Sequence, residues 1–413
     1  MKKLIIIFIG LILILGCETK PKQETSTQNK EKEIAKVSTI KNKEPSKDVT
    51  KEKEPVIKKP IVKKKIKKLL DEIEFTEGIY LNAFKSTGEK FLTILDTAQA
   101  AGINTMIFDL KNMKGDTFFE MPQKSIFRDE RRKMSLDIHR IVNAAHERDM
   151  KAVARMVMFH DRLLADSLHS FRPQMADGSA WQESKKGDGA WMDSSNKDVQ
   201  KDLLQLIEHA AKSGIDEIQM DYVRFPTQGI QGDASFAFQR EDSLRAKTDS
   251  TYVMRERQDI IAAFVKDAKK VCDKYGVTLA ADVFAVVAWQ RNADIRSTGQ
   301  NIPRMTKHLD SIHPMIYSSH FNKDFGFRED TWNEPYYITY KGTKLAREFS
   351  EKDCKVIPYI QSNTWRVKYT EDYVIGQIQS VKDAGGDGYI LWNSGSNYFT
   401  TLAWIKKYNH KKG

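Results

Sequence analysis

The sequence predicts an α/β fold: a closed (β/α)8 barrel, preceded by a short apolar leader and a Lys-rich tether. Three observations carry this. From about residue 75 to the C-terminus, eight strand-like runs alternate with amphipathic helical runs, the pattern of a parallel sheet closed on itself. Four helical runs end in a glycine just before the next strand, at Gly102, Gly214, Gly276 and Gly385, where a left-handed C-cap belongs. The first strand is followed by Lys85-Ser86-Thr87-Gly88-Glu89, which is not the glycine-rich phosphate turn of an open doubly wound sheet. The Gly385-Gly386-Asp387-Gly388 cluster precedes a strand and so lies on the wrong side for phosphate binding.

The elements follow in chain order. Lys2 and Lys3 open a basic start, and Leu4 to Leu15 form an apolar run interrupted only by Gly10. That run suits the core of a signal peptide and is too short to span a bilayer. It ends in Leu15-Gly16-Cys17. A small residue before a lone cysteine at this place resembles the lipobox of bacterial lipoproteins, which implies cleavage before Cys17 and acylation of that residue. Residues 1–16 are therefore read as a lipoprotein signal peptide, with Cys17 as the lipidation site.

Residues 17–70 read as a disordered, lipid-anchored linker. They contain no aromatic residue, and so cannot bury enough apolar surface to offset the entropy of ordering. Between residues 18 and 70, 17 Lys face 8 acids. With Lys2 and Lys3, this segment accounts for the whole net charge of +11 and leaves residues 71–413 balanced. A nucleic-acid partner is excluded, because no basic stripe with interleaved aromatics lies in the globular part. The Lys-rich segment is a solvated linker, or else touches anionic lipid or cell-wall polymer.

Residues 71–413 are the barrel. Its strands are expected at Gly78–Phe84, Asn104–Lys111, Lys151–Phe159, Glu217–Phe225, Thr278–Val286, Ile312–His320, Lys355–Gln361 and Gly388–Asn393. Its helices include Lys90–Ala101, Leu136–Asp149, Asp198–Lys212, Arg257–Tyr275 and Glu371–Ala384. In the second strand Met106, Phe108 and Leu110 oppose Ile107, Asp109 and Lys111; in the fourth Ile218, Met220 and Tyr222 oppose Gln219, Asp221 and Val223; in the fifth Leu279, Ala281 and Val283 oppose Ala280, Asp282 and Phe284. The continuous apolar face belongs under the helices. The carboxylates then point into the barrel, near the C-terminal strand ends where such folds carry their sites.

Three Asp at the same end of successive strands point to chemistry, since a carboxylate inside an apolar strand costs several kcal/mol unless it is paired or functional. The structural reading pairs Asp221 with Arg224, or Asp109 with Lys111 or Arg155. Six of the seven tryptophans, Trp181, Trp191, Trp289, Trp332, Trp365 and Trp392, fall at strand ends or in the loops that follow. Indoles beside carboxylates suit a sugar-binding cleft. The chain has no Gly-x-Ser-x-Gly elbow, His-Glu-x-x-His pair or Walker loop. Its histidines lack ligand spacing, so no metal and no cofactor is expected. Cys272 and Cys354 read as core thiols, with a disulfide between them left open.

Six segments then converge: Gly78-Ile79-Tyr80-Leu81-Asn82-Ala83, Ile107-Phe108-Asp109-Leu110-Lys111, Asp216 to Pro226 with its core Asp221-Tyr222-Val223-Arg224-Phe225-Pro226, Ala281-Asp282-Val283-Phe284, His313-Pro314-Met315-Ile316-Tyr317 and Asp387 to Asn393. In this order, over roughly residues 75–405, they resemble the TIM-barrel domain of a bacterial glycoside hydrolase family long catalogued as a domain of unknown function. Trp191-Met192-Asp193 also fits. Ala285, often Gly in the family, and His313 depart from its pattern without removing a carboxylate.

The resemblance implies a glycosidase acting on an envelope or environmental glycan through two carboxylates. Asp221 is expected as nucleophile or stabiliser, held ionised by Arg224, and Asp282 as acid/base among apolar neighbours. Tyr80, Asp109, Lys111, Arg155, Asp193, Tyr222, Arg224, Tyr317, Trp392 and Asn393 are expected to bind the carbohydrate. The other function class is a non-catalytic carbohydrate-binding or structural envelope lipoprotein on the same barrel. The leader yields the first prediction. Cys17→Ser should release the protein from membranes and abolish labelling with radioactive palmitate, whereas labelling that persists in the variant would remove the lipid anchor.

Overall fold

The computed structural model describes residues 73–125, 127, 135–184 and 189–411. The leader, Cys17 and the Lys-rich segment lie outside the described residues. Strands and helices alternate as β1 (Thr76–Leu81), α1 (Phe91–Ala100), β2 (Thr105–Lys111), α2 (Ile138–His146) and β3 (Lys151–Val157). After β3 come α3 (Arg162–Ser167) and α4 (Lys197–Ala211), then β4 (Glu217–Asp221). The next crossover holds α5 (Ala237–Thr248) and α6 (Arg257–Tyr275) and leads to β5 (Thr278–Val283). Two short helices, α7 (Asn292–Thr298) and α8 (Ile302–Met305), precede β6 (Ser311–Ile316). The chain ends with α9 (Pro335–Phe349), β7 (Lys355–Val356), β8 (Tyr359–Gln361), α10 (Glu371–Asp383), β9 (Gly388–Trp392) and α11 (Phe399–His410).

The strands pair in parallel in chain order from β1 to β6, β7 and β8 both pair with β6, and the β8–β9 and β9–β1 pairings close the ring. The predicted eight-stranded barrel is therefore formed. One expected strand is broken in two. The seventh, expected as continuous Lys355–Gln361, is split into β7 and β8 at Ile357-Pro358. Pro358 has no N–H to give the ladder. Its carbonyl still accepts from Ile390 N at 2.9 Å, so β9 stays registered across the break.

The four glycines expected as caps all have positive φ: 94° at Gly102, 87° at Gly214, 68° at Gly276 and 74° at Gly385. The closure needs Gly388 for a different reason. Its φ is 150°, and a Cβ there would lie 2.3 Å from the Thr76 carbonyl oxygen on β1.

Alternation sorts side chains into two layers. Met106, Phe108, Leu110, Ile218, Met220, Leu279, Ala281 and Val283 face outward into one core with Leu95 of α1, Ile141 of α2, Leu206 of α4 and Phe264 of α6. A smaller interior cluster holds Tyr80, Ile107, Val153, Tyr317, Ile357, Tyr359 and Ile390. Cys272 and Cys354 are free and buried, and burial pushes both thiols up to about 12.

Candidate active site

The strands end earlier than the apolar pattern suggested. β1, β3, β4, β5 and β6 stop at Leu81, Val157, Asp221, Val283 and Ile316, and the apolar residues beyond them peel away into the loops of the barrel mouth. That break creates the site. Just past β4, Tyr222 takes φ 51°, a left-handed conformation that costs a bulky residue about 1–3 kcal/mol. The turn lets the Tyr222 N–H donate to Asp221 Oδ1 at 2.6 Å.

Arg155, from β3, lies at the centre. Its Nη1 donates to Asp109 Oδ1 at 2.6 Å, and its Nη2 and Nε donate to Asp221 Oδ2 at 2.5 and 3.2 Å. The Tyr80 hydroxyl donates to Asp109 Oδ2 at 2.6 Å. Strand register explains the grouping. Asp109 pairs with Arg155, and Val157 pairs with Asp221, so residues from β2, β3 and β4 meet inside the barrel. Burial raises the Asp109 carboxyl above its ordinary range against the opposing pull of Arg155. The expected partner of Asp221 was Arg224. Arg155 makes that ion pair instead, because both side chains point inward while Arg224 lies past the strand end, in the loop.

Asp282 sits on the adjacent strand. Met220 is level with Ala281, so Asp221 and Asp282 end neighbouring strands on the same inward face. No guanidinium or ammonium reaches Asp282 within ion-pairing distance among the described residues. Its Oδ1 accepts from Gln219 Nε2, and His313 Nδ1 lies 3.5 Å away without a hydrogen bond of its own. Only 1 % of Asp282 is exposed. Burial first, and the charge of Asp221 second, push its pKa up to about 6, with His313 and Arg155 pulling the other way.

An aromatic wall stands beside the acids. Tyr80 and Trp392 lie 4.4 Å apart at 30°, and Tyr317 and Trp392 lie 6.1 Å apart at 29°. Arg155 lies 5.4 Å from the Tyr80 ring and 5.8 Å from that of Trp392. A second cluster forms one edge of the mouth. There Arg224 stacks 4.6 Å from Trp191 and 5.2 Å from Tyr222, and His160 packs 4.9 Å from Tyr222. His160 Nδ1 contacts the Met113 carbonyl at 2.7 Å, and burial lowers its pKa to about 4, so the ring is neutral at pH 7.

Of the expected site residues, Asp109, Arg155, Asp221, Asp282, Tyr80, Tyr222, Arg224, Tyr317 and Trp392 thus gather at the mouth. Three have their side chains engaged elsewhere. Lys111 is fully buried, pairs with Asp161 at 2.9 Å and donates to the Val157 carbonyl. Asp193 is buried in a loop junction, accepting from Ser195 N, Ser195 Oγ and Ala237 N. Asn393 spends its amide on the Ser362 and Asn397 carbonyls and the Gly395 N–H. Trp181 and Trp191 are also buried, each only 1 % exposed, and act as loop anchors rather than open platforms.

Sequence reasoning missed Gln219 and Tyr359. Gln219 bridges Asp282 and the Tyr359 hydroxyl, the latter at 2.9 Å. An amide on the inward face of an apolar strand, two residues before Asp221, was the available signal. Glu183 was missed as well. It accepts from Trp191 Nε1 at 2.9 Å, and burial raises its carboxyl. Among the described residues no group of three His, Cys, Asp or Glu is arranged to hold a metal ion.

A family model described as a putative glycosyl hydrolase domain matches residues 78–398. No curated protein matches the chain in sequence. Among solved structures, the barrel is similar to the glycoside hydrolase domain of PgaB (BpsB) from Bordetella bronchiseptica, with a TM-score of 0.59 at 10% identity over 80% of this chain and 98% of that one. The catalytic domain of β-amylase from Paenibacillus polymyxa gives 0.52 at 11% identity over 82% and 99%. An α-L-fucosidase from Paenibacillus thiaminolyticus gives 0.53 at 12% identity over 82% and 49%. At these identities the likeness is one of fold.

The environment of Asp282 makes stability depend on pH. Its folded pKa of about 6 lies above the ordinary value of 3.8. The protonated form is favoured in the fold, so this group's contribution is fully present below about pH 4 and is lost as pH rises through 6. Asp282→Asn cannot lose it. Relative to wild type, the variant should gain roughly 2 kcal/mol between pH 4 and pH 7. Urea unfolding at both pH values checks this, and a constant difference would contradict the perturbed carboxyl.

Proposed function

The chain belongs to the family described as a putative glycosyl hydrolase domain, whose model matches residues 78–398, and on that premise we propose that it cleaves glycosidic bonds of an envelope or environmental glycan, with Asp282 as acid and Asp221 as the partner carboxylate. The single observation that carries this is the contrast between two carboxyls on neighbouring strands. Asp221 is gripped by the Arg155 guanidinium and a backbone N–H. Asp282 is buried with no guanidinium or ammonium paired to it among the described residues, only the His313 imidazole 3.5 Å away, and its pKa is pushed up to about 6. Glycoside hydrolysis needs such a division: one carboxyl to give a proton, one carboxylate to meet positive charge.

In this reading, Asp282 protonates the glycosidic oxygen and the leaving sugar departs as an alcohol. Asp221 faces the oxocarbenium-like carbon that remains, either stabilising it or bonding to it. Water completes the reaction and returns a proton to Asp282. Tyr80, Tyr317 and Trp392 offer ring faces for the apolar side of a pyranose, and Asp109 with Arg155 offers hydrogen bonds to its hydroxyls. A membrane anchor at Cys17, with residues 18–70 as spacer, fits an enzyme that works on polymer in the cell envelope.

The test is turnover and folding measured on the same variants. Asp221→Asn and Asp282→Asn should each cut hydrolysis by about 10²–10⁴-fold while both still fold cooperatively. Full activity in either variant removes that residue from the mechanism. Wild type that binds glycans with measurable affinity yet hydrolyses none would identify a carbohydrate-binding protein on a hydrolase barrel.

A further inference from the structure

Arg224 has no role in the chemistry above. It follows β4 and is only 6 % exposed, so its charge is largely withdrawn from water. Among the described residues its guanidinium hydrogen-bonds only through Nη1, to the Phe225 carbonyl at 3.1 Å and Thr227 Oγ1 at 3.4 Å. No carboxylate pairs with it, and Asp221 and Glu183 act on it only through space. Nε and Nη2 have no partner, yet neither is sealed from water. Both donors therefore keep contact with solvent beside the Trp191 and Tyr222 rings.

Three rings hold the group in place. The guanidinium carbon lies 4.6 Å from the Trp191 ring, 5.2 Å from Tyr222 and 5.2 Å from Phe284. Trp191 is itself fixed by its hydrogen bond to Glu183. Tyr222 is fixed by the left-handed turn that also orients Asp221. The aromatic cage orients the cation but supplies no counter-charge. A buried cation without a paired anion is costly, and a ligand that brings the anion gains most from it. A planar guanidinium edge with two free donors matches a carboxylate in bidentate geometry.

We propose that Arg224 is an anion subsite at the mouth and that the glycan is acidic, presenting a uronic-acid carboxylate to Arg224 beside the bond held at Asp221 and Asp282. This deepens the hydrolase reading and rests on it. A second observation agrees from elsewhere in the chain. Residues 18–70 set 17 Lys against 8 acids, a charge that attracts an anionic polymer to this chain.

The experiment compares the methyl glycosides of D-glucuronate and D-galacturonate with their neutral methyl esters. Binding to the full chain is measured by calorimetry or ligand-observed NMR at fixed ionic strength. The sugars are single rings, so multivalent contact with the Lys-rich segment does not contribute. The expected result is that at least one acid binds roughly ten-fold tighter than its ester. Arg224→Gln should erase that preference, and Arg224→Lys, a point charge without the fork, should keep part of it. Equal affinity for acid and ester overturns the proposal, as does no binding of either uronate or a preference that survives in Arg224→Gln. The readout needs no turnover. A protein that prefers uronates and hydrolyses nothing keeps the subsite and loses the hydrolase reading; one that hydrolyses only neutral glycans does the reverse.

Discussion

Arg155 carries a permanent positive charge into the interior of a closed barrel, where Asp109 and Asp221 meet it at 2.6 and 2.5 Å. Removing three charged groups from water costs several kcal/mol per ion, recovered only if geometry is good and the remaining lone pairs are used. Here they are used. Tyr80 serves the second oxygen of Asp109, and the Tyr222 N–H serves the second oxygen of Asp221. The cluster ties β1, β2, β3 and β4 together on the inside while the helices pack the outside. It also defines Asp282 by contrast. With the Arg155 hydrogen bonds spent on Asp109 and Asp221, the fifth strand's carboxyl has an amide and a nearby imidazole for company and holds its proton to higher pH.

Much of this was legible before any coordinates. A period of two along the strands sorted Asp109, Asp221 and Asp282 to the inside, because an inward–outward alternation is a property of the strand itself. Pairing was less legible. Arg224 stands three residues from Asp221 and seemed its natural partner. The actual partner comes from another strand, and which residues meet across a barrel depends on register and closure, quantities that no single segment encodes. Lys111 misled for a related reason. Alternation puts it on the inward face of β2, but the register shifts between Asp109 and Lys111, which lies level with Met156, and its ammonium pairs with Asp161. Strand ends were overshot because apolar residues such as Val223 and Phe225 stay fully buried after leaving the ladder. The tryptophan pattern placed indoles correctly in the mouth loops, but sequence does not separate an anchor such as Trp191 from a wall residue such as Trp392.

The mouth thus combines a clamped carboxylate and a caged cation from the end of β4, a reluctant acid from β5 and an aromatic wall from β1, β9 and the turn after β6. Such division suits a barrel, whose scaffold fixes the strand ends while loops vary around them. It also gives the positive-φ turn at Tyr222 a purpose: the same backbone bend brings the Tyr222 N–H onto Asp221 Oδ1 and lays the Tyr222 ring beside Arg224.

The claim on which the account turns is that Asp282 works as the acid, and the pH dependence of kcat/KM on a hydrolysed glycan addresses it most directly, since that profile reports the free enzyme's essential groups. With the Asp282 pKa near 6, the rate should fall as pH rises through about 6 and keep falling beyond pH 7. A rate that holds level to pH 8 would mean that the proton comes from another group, and the assignment of Asp282 would fail.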